Sequence, residues 1–195
     1  MTILKKRWLL AALMLIAAGR ADAGLLPVSE TTTADGANSK FTYGIVLTSN
    51  SSIVKGDYFT IYGFHDSVAG TSSAPAGWSL SIQTNGITPA GTNPVVVASV
   101  PNLTWTYTGT TPIVGQVGLG LFSIDSSSTA SGTASFTAQT HPTSGGVEGN
   151  ITTVAVAGAP INANPPPPGV PEPASLALLG IGLPLAGFVR FLRRR

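Results

Sequence analysis

The 195-residue chain contains no cysteine. That excludes disulfides, thiolate catalysis, cysteine-ligated zinc and any thioether-linked lipid anchor. It leaves the compartment open, because exported bacterial domains often do without disulfides. Charge is scarce as well. Only 9% of residues are charged, against roughly 25% in an ordinary soluble domain, which excludes a charge-laced helical bundle or coiled coil. Histidine is limited to His65 and His141. What the chain does have is hydrophobic residues, at 43%, too many for a wholly disordered polymer, together with 23 glycines and 15 prolines.

The few charges are segregated. Lys5, Lys6, Arg7 and Arg20 lie near the start, and Arg190, Arg193, Arg194 and Arg195 at the end. Between residues 24 and 169, Lys40 and Lys55 oppose Glu30, Asp35, Asp57, Asp66, Asp125 and Glu148. The isoelectric point near 9.2 therefore describes the ends, and the acidic middle is unsuited to nucleic acid.

The first 23 residues read as a secretory signal. A basic start precedes an apolar run from Trp8 to Ala18, which rises about 16 Å as a helix, too short for a hydrocarbon core of about 30 Å. Ala21 and Ala23 supply the small residues that a signal peptidase requires, so the expected mature chain begins at Gly24. At the other end, Val170, Pro171, Glu172 and Pro173 precede an apolar stretch and the terminal arginines. A transmembrane sorting helix over 174–192 is expected, about 28 Å long with Arg190 snorkelling. Arg190, Arg193, Arg194 and Arg195 form the cytoplasmic stop, leaving everything before them outside. Gly180, Gly182, Pro184 and Gly187 weaken that helix as a permanent anchor, so the segment has the character of a removable retention signal.

These residues, VPEPASLALLGIGLPLAGFVRFLRRR, resemble the PEP-CTERM sorting signal of Gram-negative, exopolysaccharide-producing bacteria. The resemblance implies that a membrane-embedded exosortase recognises Pro171, Glu172 and Pro173 and cleaves near them. The body is then released or transferred to the cell surface. Pro184 departs from the usual uninterrupted run. Tails of this kind also go by the name ice-binding protein C-terminal domain, which names the tail and says nothing of ice binding by the body. Before the tail, residues 158–169 form a linker. Pro165 to Pro168 force polyproline II, and the linker can reach about 37 Å at about 3.1 Å per residue.

The body, residues 24–157, reads as a single antiparallel β-sandwich of about eight strands, Ig-like or jelly-roll-like. Phe41, Tyr43, Ile45 and Leu47 alternate with polar or small neighbours, and Tyr58–Phe64 is apolar on both faces, as in a central strand. Further strands are expected at Trp78–Thr84, Val95–Val100, Leu103–Thr108, Ile113–Ile124, Thr133–Gln139 and Ile151–Ala157, with a bulge or close approach at Gly118 and Gly120. Trp78, Trp105, Phe59, Phe64, Phe122 and Phe136 are the expected core anchors.

No strong chemical site emerges. His65, Asp66 and Ser67 are sequence neighbours on an extended chain and cannot align as a triad. Asp57, Asp66 and Asp125 lack calcium-loop spacing and read as solvated turn aspartates. Thr104, Thr106 and Thr108 read as exposed-face threonines rather than an ice-binding array. Tyr43, Tyr58, Tyr62 and Tyr107 could build a sugar platform but fit core positions more simply. Asn50, Asn102 and Asn150 head glycosylation-like triplets that a Ser/Thr-rich chain produces by coincidence. The expectation is a non-enzymatic exported protein with no cofactor and no metal. Its expected partners are signal peptidase, an exosortase, the membrane and exopolysaccharide. The alternative is an extracellular carbohydrate-binding module.

Overall fold

The computed structural model describes Gly24–Gly158, which fall within one unit spanning Asp22–Pro166. The expected signal helix and transmembrane sorting helix lie outside the described residues. Within them there are ten strands and no helix: β1 Leu25–Asp35, β2 Asn38–Leu47, β3 Ser51–Ile53, β4 Tyr58–Ile61, β5 Trp78–Gln83, β6 Asn102–Tyr107, β7 Ile113–Val114, β8 Val117–Ser126, β9 Ser131–Pro142 and β10 Glu148–Ala157. β1, β2 and β8 form a three-stranded sheet; the other seven strands run in the order β5-β6-β4-β9-β3-β7, with β10 on the free side of β9. Every pairing is antiparallel.

Period-two alternation decides which side chains meet between the sheets. From the small sheet come Phe41, Tyr43, Ile45 and Leu47 of β2 with Leu119, Phe122 and Ile124 of β8; from the large sheet come Phe59, Ile61, Leu103, Trp105, Phe136 and Val154. Phe59 is the keystone. Its ring lies 5.2 Å from Trp105 and 5.4 Å from Phe136 in its own sheet, and meets Phe122 of the facing sheet edge-on at 4.9 Å. Leu119 fits this pattern because the β2–β8 register slips between Ile45 and Val46, where Gly118 and Gly120 flank it.

β4 is buried on both faces. Its inner face holds Phe59 and Ile61. Its outer face carries Tyr58 and Thr60, and Thr60 and the following Tyr62 lie under the segment joining β5 to β6. Ile87 O accepts bonds from Thr60 Oγ1 at 3.2 Å and Tyr62 OH at 2.9 Å. The exposed side of β10 is also closed. Ala155 N donates to the Glu30 carboxylate at 2.7 Å, Ala155 O accepts from Tyr43 OH at 2.8 Å, and Ala157 O accepts from His65 N at 3.1 Å. Side chains and loop backbone thus occupy groups that an open strand edge would offer to another chain.

Four strand expectations need correction. Leu25–Asp35, read as no strand at all, is one of the longest, paired along its length with β2. The three-residue strand β3 is likewise absent from the expected strands. Val95–Val100 is not a strand: Pro94 and Pro101 bracket it, Val100 N closes a turn onto Val97 O at 3.0 Å, and Val95 and Val97 pack on the core as a loop. Ile113–Ile124 is two strands, broken at Gly115, whose φ of +84° suits glycine.

Candidate functional site

The register Tyr58↔Gln139 between β4 and β9 brings together two groups 84 residues apart, Asp57 just before β4 and His141 near the end of β9. His141 Nδ1 lies 2.9 Å from Asp57 Oδ2. The same oxygen accepts Val54 N at 2.9 Å, and Oδ1 accepts Gln139 Nε2 at 3.3 Å. Asp57 is 1% exposed, whereas the imidazole side chain keeps 32% of its surface in solvent. An aspartate holding a half-exposed histidine is the base half of a hydrolase triad, which also needs a hydroxyl or thiol at the far ring nitrogen. The serines of β3 are otherwise engaged. Ser52 Oγ donates to the His141 carbonyl at 3.0 Å, and Ser51 Oγ bonds Thr48 Oγ1 at 3.1 Å. The pair ties the β3–β4 turn to β9. Sequence reasoning missed it because no local pattern announces a contact that strand register creates.

His65, Asp66 and Ser67 occupy the turn after β4 and act through their backbones. His65 O accepts Ser126 Oγ at 2.8 Å, Asp66 O accepts Ser127 N at 3.0 Å, and Ser67 bridges to Ser126. Asp57 precedes β4 and Asp66 follows it, so the three aspartates do not converge. Among the described residues no cluster of three or more acidic, histidine or cysteine side chains could hold a metal ion. The reading of all three as solvated is corrected for two of them: Asp57 is buried, and Asp125 is 5% exposed with Lys40 Nζ 3.9 Å from its Oδ1.

The threonine reading is corrected in the same way. Thr104 is buried, sharing a 3.0 Å bond with Thr60 Oγ1 beneath the β5–β6 connection, while Thr106 is half-buried and Thr108 exposed. Ser81, Thr104, Thr60 and Thr137 stand in one row across β5, β6, β4 and β9, forming an internal hydroxyl layer. All four tyrosines are buried. Tyr62 OH bonds Ile87 O, Thr88 Oγ1 and Thr137 Oγ1, and Tyr107 OH donates to Thr111 O at 2.6 Å. Burial pushes the Tyr58 phenol up to about 12. The large hydrophobic side chains exposed among the described residues are all aliphatic. Asn102 is buried, its Oδ1 accepting Gly63 N and its Nδ2 donating to Thr84 O, and Asn150 Nδ2 donates to Leu25 O. Both amides are engaged in the fold.

The sorting residues Val170, Pro171, Glu172 and Pro173, the stop Arg190, Arg193, Arg194 and Arg195, and the cleavage-site alanines Ala21 and Ala23 lie outside the described residues; Gly24 is the first within them. No curated protein matches the chain. Residues 169–195 match the family described as the PEP-CTERM protein-sorting motif. That match covers the tail that the proline-rich linker precedes and leaves the β body outside it. The tail of the chain accordingly carries a PEP-CTERM protein-sorting motif, a signal that implies export and membrane-associated sorting by an exosortase.

Proposed function

We propose that the chain is a non-enzymatic envelope protein, delivered to the cell surface or the exopolysaccharide matrix once its tail is removed. The observation that carries this reading is the sorting motif at residues 169–195, joined to a hydroxyl-rich β body through a linker with four consecutive prolines. Signal peptidase removes residues 1–23, the apolar segment 174–192 holds the precursor with its arginines in the cytoplasm, and the exosortase cuts near Pro171–Pro173. The engagement of Asp57, Ser51 and Ser52 within the fold supports a body without catalysis. A carbohydrate-binding role draws no support from the tyrosines, which are internal.

Protease added to intact spheroplasts, with an epitope placed after Arg195, tests the reading. The body is expected to be digested from outside while the epitope stays with the membrane or is lost from the surface form. A protected body overturns the orientation. An epitope that persists on the surface-exposed protein overturns the processing.

A further inference from the structure

Gly24, the residue at which the mature chain is expected to begin, is buried. Its carbonyl accepts Thr48 N at 3.0 Å, and the next carbonyl, Leu25 O, accepts Asn150 Nδ2 at 2.8 Å. These bonds clamp the start of β1 between the end of β2 and the start of β10. A Cβ built on Gly24 would lie 2.4 Å from Thr140 Oγ1 and 3.0 Å from Asn150 Oδ1, so any larger residue collides with the site. Those two oxygens are themselves buried and have no hydrogen-bond partner. A buried acceptor left unbonded costs about 1–3 kcal/mol, and here two of them converge on one backbone position. Thr140 pairs across the strands with Glu148, and Asn150 follows Glu148 by two residues, so all three share one face of the β9–β10 ribbon.

We infer that this is a docking site for the α-ammonium of Gly24, completed only when the signal segment is removed. The inference rests on the signal-peptide reading of residues 1–23. Hydrolysis of the Ala23–Gly24 bond gives the water hydroxyl to the Ala23 carbonyl carbon, and the Gly24 nitrogen leaves as an amine. The amine takes up a proton at neutral pH, where an α-amino group with a pKa of about 7.7–8.0 is mostly charged. One amide N–H becomes three cationic N–H donors. Thr140 Oγ1 and Asn150 Oδ1 accept two of them in charge-assisted bonds. Cleavage thereby adds an internal tie that the precursor lacks, and glycine is required because the cradle has no room for a side chain.

The test uses the exported chain recovered from cells, with N-terminal sequencing followed by acylation of its α-amine at neutral pH. The expected first residue is Gly24, acylated at least about tenfold more slowly in the native chain than in urea, as protection by folding requires. Thr140→Val and Asn150→Leu are each expected to restore fast acylation, and Gly24→Ala to do so while lowering the melting temperature. A different first residue overturns the cleavage reading and this inference together. A chain that starts at Gly24 but is acylated equally fast folded or unfolded overturns the docking alone. So does a Gly24→Ala chain that melts and reacts like the parent, which keeps the test decisive should the other variants fail to fold.

Discussion

Asp57 shows how one side chain sets local architecture. Its carboxylate accepts Val54 N, Gln139 Nε2 and His141 Nδ1 while almost entirely buried. Asp57→Ala leaves those donors without their acceptor and is expected to lower stability by about 3 kcal/mol, read from urea unfolding; a change below about 0.5 kcal/mol contradicts the clamp. The alkaline limit is also decided by single residues. Burial, followed by the neighbouring Tyr62 and Asp57 charges, raises the Tyr58 phenol from 10.0 to about 12, and burial raises Tyr43 further still. The folded chain therefore keeps phenolic protons that the unfolded chain releases, so stability is full below about pH 10 and falls as pH climbs toward 12. Lys40 acts in the same sense. The bond and charge of Asp35, and then the charge of Asp125, raise it from 10.5, a contribution present below that value and lost above the raised one. Urea midpoints measured from pH 8 upward, with phenolate absorbance followed in parallel, are expected to show tyrosine ionisation arriving together with unfolding. Free titration of every tyrosine near pH 10 in the folded chain contradicts this.

At the scale of elements, the fold depends on covering what strands leave open. Glu30 occupies Ala155 N on the free side of β10. Glu30→Ala is expected to speed hydrogen exchange at Ala155 and cost about 1 kcal/mol, and unchanged exchange there removes the edge-sealing role. Tyr62→Phe deletes the hydroxyl that joins Ile87 and Thr88 to Thr137. It is expected to make the β5–β6 connection a site of limited proteolysis, whereas resistance equal to the parent contradicts the seal. The same covering logic explains what could be read from sequence. β2, β4, β6 and β9 announce themselves because their inward positions are apolar, and large in all but β9, where Ala134 and Ala138 flank Phe136. β1 does not: after Leu26 it reads PVSETTTAD, mostly exposed, and its place comes from pairing with β2 rather than from burial. Val95–Val100 misleads in the opposite way, since its valines are apolar for the sake of capping the core. Asp57 and His141 join only through register, which one sequence does not display.

Across the whole molecule, the C-terminal address is more legible than the body. Residues 169–195 are recognised as a linear signal whose meaning lies in local chemistry, and such chemistry can be read in order along the chain. The body is legible as all-β but carries no linear motif for a ligand, and its four tyrosines and Thr104 are spent inside. Export and sorting are thus assigned by the tail, while the β body supplies a hydroxyl-rich cargo with its acidic charge set apart from the basic ends. The most direct measurement of this account is the intact mass of the chain recovered from the cell surface or medium of an exosortase-bearing host. The predicted mass corresponds to a chain beginning at Gly24 and ending near Pro171–Pro173, with any attached glycan removed. A mass that still includes Arg190 to Arg195 contradicts it.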